Sequence, residues 1–168
     1  SDLVLLQQLA ALPARIQQDG FLLVYFIGHE FEAAGKSYLL ATDSLTGNDA
    51  LLADTAIPSQ RVKELLKASG AVQLMLVFDS FRQKPVSESF SRQFSFKNEV
   101  SAYAALFSAN AGELAYGSAA KKRGIFTSAF LEGIQGKAAD KARSVTLESL
   151  IKYLQTAVPQ EAQRELGA

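Results

Sequence analysis

Two stretches of this chain are apolar at nearly every position: Phe21-Leu22-Leu23-Val24-Tyr25-Phe26-Ile27 and Ala71-Val72-Gln73-Leu74-Met75-Leu76-Val77-Phe78. Runs of this length and β-branched or aromatic content read as strands buried on both faces, which is the habit of parallel sheets. Before and between them the period changes to that of helices. Leu5, Leu6, Leu9, Leu12 and Ile16 recur at helical spacing across residues 3–18, with Pro13 predicting a kink or two short helices. Pro58 opens a helix whose buried stripe is Val62, Leu65 and Leu66, closed by Ser69-Gly70. Helix followed by apolar strand, repeated, predicts an α/β fold: a three-layer sandwich with a mostly parallel central sheet.

The remaining segments fill in around this frame. Ser37–Ala41 is a short β-like segment, and Thr42–Thr55, rich in Asp, Ser, Asn and Gly, reads as a surface loop. Gln83–Ser101 reads as a long serine-rich loop carrying Phe90, Phe94 and Phe96, of a length that is usually functional or mobile. Tyr103–Ser108 is a further strand, followed by a turn at Ala109–Gly112. A helix is expected over Thr127–Ile134, beginning nearer Gly124, then a charged loop from Gly136 to Ser144. The last helix opens at Thr146 and runs to Val158-Pro159, leaving 160–168 as a tail that frays or adds a short helix.

Composition narrows the function classes. At 168 residues the chain is read as a single domain, 1–168, able to bury a real core. Seventeen basic residues balance seventeen acidic ones, so no net field favours nucleic acid or an anionic membrane. No run reaches the roughly 18 apolar residues of a membrane helix, and a soluble, cytoplasmic protein is the default expectation. The absence of cysteine removes disulfides, thiolate metal sites and a cysteine nucleophile. With His29 as the single histidine, a multi-histidine metal site within one copy is impossible. No cofactor is expected.

Strand ends are where parallel sheets place their chemistry, and three candidates stand there. Gly35-Lys36-Ser37 resembles part of a phosphate loop, but six residues rather than four separate Gly28 from Gly35, and the following segment is β-like; a hairpin turn accounts for it better. His29 and Ser80 each follow an apolar strand, so neighbouring strand ends could supply a base and a nucleophile. Against this, no Gly-x-Ser-x-Gly elbow exists, and a lone serine ordinarily satisfies local backbone groups. Asp79 could either bond nearby amides or select a cationic ligand.

In order along the chain, these residues resemble the caspase-like cysteine peptidases of clan CD (the C14 peptidases), in their bacterial and metacaspase-like branch. Phe26-Ile27-Gly28-His29-Glu30 stands where that family ends a strand in Ser-Gly-His-Gly, and Gly35-Lys36-Ser37-Tyr38-Leu39-Leu40-Ala41-Thr42-Asp43 is similar to its Gly-Lys-x-Tyr-Leu-Leu-x-x-Asp segment. Asp79-Ser80-Phe81-Arg82 stands where the family has Asp-Ala-Cys-Arg or Asp-Ser-Cys-Arg. Ser108-Ala109, Ala115-Tyr116, Gly124-Ile125-Phe126-Thr127 and Leu131-Glu132-Gly133-Ile134 follow collinearly. Gly136–Asp140 and Val145–Leu147 fit the same signature, so the resemblance spans most of Asp19–Pro159.

The departures decide what the resemblance implies. Phe81 occupies the position of the cysteine nucleophile, and a phenyl ring has no lone pair with which to attack a carbonyl. His29 would then be vestigial, with Asp79, Ser108 and Tyr116 as remnants of a binding groove for a basic side chain that Phe81 caps or fills. Glu30 replaces a glycine and narrows the approach to the backbone. Relatives carry a strand and helix ahead of residue 1, so the chain reads as lacking the first strand–helix unit and as a fragment of a longer protein. An uncovered strand would invite pairing with another chain. The expectation is therefore a catalytically inactive domain that binds a protein or peptide, including as a homo- or heterodimer. The alternative is a hydrolase using Ser80 with His29 to cleave after a basic residue.

Overall fold

The computed structural model describes residues 2–17, 19–45, 47–82, 94–96, 100–109, 115–118 and 121–167. They form two compact units, Ser1–Leu114 and Ala115–Ala168. The first holds both apolar runs in a five-stranded mixed sheet flanked by helices.

Its elements are α1 (Asp2–Ala10), a 3-10 turn at Leu12–Ala14, β1 (Phe21–Ala33), β2 (Lys36–Leu39), α2 (Asp49–Thr55), β3 (Ile57–Pro58), α3 (Ser59–Lys67), β4 (Gln73–Arg82) and β5 (Ala102–Phe107). The break between α1 and the 3-10 turn lies at Ala11, and Pro13 sits in the first positions of the 3-10 turn, where its missing N–H costs nothing. The strand order is β3-β2-β1-β4-β5. β1, β4 and β5 run parallel, while β2 and β3 are antiparallel additions, so the sheet is mixed, with its centre parallel. The β1–β2 hairpin turns through Ala34 and Gly35, both at positive φ (49° and 71°), which places the Gly35-Lys36-Ser37 segment in a hairpin.

One face of the sheet makes the main core. Leu74, Leu76 and Phe78 of β4 pack with Leu39, Ile57 and the α3 residues Val62 and Leu66, with Leu22, Val24 and Phe26 of β1 against them. Phe78 stacks on Phe107 at 5.3 Å and meets Phe94 at 4.8 Å. Phe94 and Phe96 lie fully inside this cluster, so these two aromatics of the expected serine-rich loop are core residues. The rest of that loop, Phe90 included, and the Asn110–Gly112 turn lie outside the described residues. A smaller cluster of Ala33, Tyr38, Leu52 and Ala56 seats α2.

Three expectations change here. The Thr42–Thr55 segment contains α2, started by Asn48, whose side chain accepts from the Leu51 N–H at 2.9 Å. Both central strands run past their apolar stretches: ten consecutive residue pairs from Phe21–Gln73 to Glu30–Arg82 hold them to each other, and pairing with β2 carries β1 on to Ala33. His29 and Asp79–Arg82 are thus strand residues, not turn residues.

The second unit comprises the short hairpin strands β6 (Gly117–Ser118) and β7 (Arg123–Gly124), α4 (Ile125–Glu132) with a π-helical turn to Lys137, and α5 (Leu147–Leu166). Thr146 and Ser149 form a reciprocal capping box at the start of α5. Helix α5 does not stop at Pro159. Beyond the proline it is tied down by the Lys121–Glu161 ion pair at 2.7 Å and by the Ser118 hydroxyl donating to Glu165 at 2.8 Å, so residues 160–166 are helix. No described helix is long and apolar enough to cross a membrane.

Candidate functional site

The carboxyl ends of β1 and β4 bring the sequence-derived candidates together, and the ladder register sorts them. Side chains alternate faces along a strand, and registered residues of parallel neighbours share a face. Ile27 pairs with Asp79 and His29 with Phe81, which puts those four positions on one face. Gly28 pairs with Ser80 and Glu30 with Arg82, on the opposite face, which is that of the core cluster.

His29 is exposed, and the Phe81 backbone lies beside it across the ladder. Its carbonyl accepts from the Leu40 N–H at 2.9 Å, so the histidine is fixed at the point where β2 joins β1. The fit of the Phe81 ring to any pocket lies outside what is described. Asp79 sits one pair deeper on the same face and is fully buried.

Ser80 does not meet His29. It lies on the other face, is 1% exposed, and its hydroxyl has no hydrogen-bond partner among the described residues. A nucleophile and its base need hydrogen-bond reach, and a sheet thickness separates these two. On the Ser80 face, Glu30 is buried, and Ser37 of β2 pairs with Glu32. The Ser37 hydroxyl and that of Ser59, at the start of α3, are also buried with no partner among the described residues. Gly28 allows the turn of the Phe26 ring: a Cβ at residue 28 would come within 2.7 Å of it.

The other two candidates are placed by backbone bonds. The Ser108 N–H donates to the Phe78 carbonyl at 2.9 Å, extending the β4–β5 ladder. Tyr116 belongs to the second unit, is exposed, and its carbonyl accepts from the Ile125 N–H at 3.0 Å.

Electrostatic perturbation is concentrated in the second unit. Lys121 is raised above its ordinary range, first by its hydrogen bond to Glu161, and Glu161 is lowered by the same bond. Glu132 is lowered by Lys137 at 2.8 Å and by Lys121. Through Lys121, in the turn between β6 and β7, these ion pairs anchor α4 and α5 to that turn. Among the described residues, no group of three or more His, Cys, Asp or Glu side chains could hold a metal ion.

The sequence left one signal unused. After His29 the chain reads Glu30-Phe31-Glu32-Ala33, an alternation of polar and apolar positions that continues β1 into the hairpin. Those residues, Glu30 to Ala33, are the ones that pair with β2. No protein-family model matches this sequence, and no curated protein matches it.

Proposed function

We propose that this chain is a catalytically inactive domain of the caspase-like fold whose role is to bind a protein or peptide. The observation that supports it is the His29–Phe81 register pair. A thiol at residue 81 would share a strand-end face with an imidazole, the arrangement a cysteine peptidase uses to make and hold a thiolate. Phenylalanine keeps the position and removes the electrons. Asp79, buried on the same face one pair deeper, is the group that would have faced a basic side chain before the scissile bond. In this reading Ser108, in the same unit, is a further remnant of the groove.

The test is restoration. Wild-type protein and Phe81→Cys are assayed on peptides containing Arg or Lys, with and without a thiol-alkylating reagent. The reading expects no turnover from the wild type, and thiol-dependent cleavage by Phe81→Cys that is lost in Phe81→Cys/His29→Ala. Cleavage by the wild-type chain that disappears in His29→Ala overturns it. The hydrolase alternative, Ser80 with His29, has no geometric support, because the two residues occupy opposite faces of the sheet.

A further inference from the structure

Charge is unevenly matched in the second unit, because each of its carboxylates is engaged. Glu132 pairs with Lys121 and Lys137, Glu161 with Lys121 and Arg164, and Glu148 with Lys152. Glu165 accepts from the Ser118 hydroxyl, and one Asp140 oxygen accepts from the Ala142 and Ser144 N–H groups at 2.8 and 3.0 Å. Lys122, Arg123, Lys141 and Arg143 are left exposed, with no ion pair among the described residues. They fall at two ends of α5. Lys122 and Arg123 adjoin Lys121, which is bound to Glu161 late in the helix, whereas Lys141 and Arg143 precede its N-cap, Thr146. Along the helix axis those two points are about 22 Å apart.

The loop that carries Lys141 and Arg143 is exposed from residue 139 to 148, yet its backbone is tied at both ends. The Asp140 N–H donates to the Ser144 carbonyl at 2.9 Å and the Arg143 N–H to the Asp140 carbonyl at 3.0 Å, while the Thr146–Ser149 capping box holds the far side. Arg143 has φ 61°, a left-handed conformation that suits glycine and costs energy for a residue with a side chain. Apolar side chains flank the two cations: Ile134 is 47% exposed, Val145 38% and Leu147 43%. A Cβ on Gly133 would come within 2.6 Å of the Leu150 side chain, so the turn bearing Ile134 lies beside the first turns of α5.

We propose that this loop binds an acidic segment of a partner protein, its carboxylates on Lys141 and Arg143 and its aliphatic side chains on Ile134, Val145 and Leu147. Charge complementarity sets the sign of the partner, and the planar fork of Arg143 matches a carboxylate with two parallel hydrogen bonds. The apolar flanks set its class. A nucleic-acid backbone would use the cations and leave the three aliphatic side chains uncovered. An anionic membrane is ordinarily held by roughly four to eight clustered basic residues, more than the loop supplies. A peptide that mixes carboxylates with aliphatic residues uses both parts of the surface. The surface lies wholly in the second unit and does not depend on the function proposed above.

Fluorescence anisotropy of a labelled peptide of alternating Glu and Leu, titrated with the full chain, tests this. The wild type is expected to bind it, and to bind less well the matching peptides with Gln for Glu or Ser for Leu. Lys141→Gln/Arg143→Gly is expected to weaken binding by about tenfold or more, and Leu147→Ser to weaken it as well. Lys122→Gln/Arg123→Gln, at the other end of α5, removes the same charge and is expected to leave binding unchanged. Glycine suits the backbone at residue 143, so the loop variant keeps its fold, which circular dichroism verifies. Failure of the wild type to bind the Glu-Leu peptide overturns the proposal. So does equal weakening by the two charge variants, which would mark a diffuse field. Tighter binding of a single-stranded oligonucleotide or of phosphatidylserine vesicles through Lys141 and Arg143 overturns it too.

Discussion

His29 and Phe81 are registered partners across the parallel β1–β4 ladder, and Ser80, one residue earlier, lies on the reverse of the sheet. A single step along β4 thus separates the histidine face from the core face. Ser80→Ala is accordingly expected to leave any hydrolytic signal of the chain unchanged. Because it removes a buried hydroxyl with no partner among the described residues, it should leave stability unchanged or raise it by up to about 1 kcal/mol. Urea unfolding of the two proteins measures this, and a loss of more than about 1 kcal/mol would show that the hydroxyl is bonded in solution.

Phe94 is a core residue supplied by a segment that looks like a loop. It is fully buried and packs on Phe78 at 4.8 Å. Phe94→Ala should cost about 3–5 kcal/mol, the usual loss for a buried aromatic. Chemical denaturation gives the number, and a cost below about 1 kcal/mol would mean that the ring does not fill the core.

Tyr103 gives the sheet an alkaline limit. Its hydroxyl donates to the Phe94 carbonyl, and burial pushes its pKa from 10.0 to about 12. A group raised on folding contributes fully below its unfolded value and loses that contribution as pH rises through its folded one. Stability should therefore decline between pH 10 and about 12, and Tyr103→Phe should flatten that part of the curve. Thermal melts across this range would expose a contrary result as an equal alkaline decline in both proteins.

At the acid end, Glu161 and Glu132 are held below their ordinary carboxylate value of 4.5 by hydrogen bonds to Lys121 and Lys137. The sign is the reverse: their contribution is present above the unfolded value and disappears as pH falls through the lowered one. Lys121→Ala should cost about 1 kcal/mol near neutral pH and make the second unit less sensitive to acid. Helicity followed from pH 7 to pH 2 reads the difference, which should vanish once the carboxylates are protonated.

The sequence carried the centre of the fold well, because β1 and β4 are apolar enough to announce themselves. It was poorer at their ends. The continuous apolar runs stop at Ile27 and Phe78, while β1 and β4 go on to Glu30 and Arg82 by pairing with each other, and β1 reaches Ala33 by pairing with β2. Pairing of that kind depends on register, which no single segment encodes. Helix α2 was hidden because Asn48 and Asp49 serve equally in loops and at helix starts, so composition alone could not separate the two. The extension of α5 through Pro159 is accompanied by side-chain bonds to Lys121 and Ser118, forty residues or more away along the chain. The candidate site was legible as residue types at strand ends, and the separation of Ser80 from His29 by a face followed only from the ladder.

The β1–β4 ladder also sets the tempo of folding. Its first pair, Phe21 with Gln73, joins positions 52 residues apart (73 − 21), whereas the β1–β2 hairpin closes over Ala34 and Gly35. The hairpin can form in about 1–10 μs. The parallel pair must first confine a long intervening chain, which includes α2 and α3, and parallel pairing at that separation belongs to the slow end of small-domain kinetics. Until that ladder closes, both strands of the future core remain open to other chains, so the refolding yield of this protein should depend on its concentration.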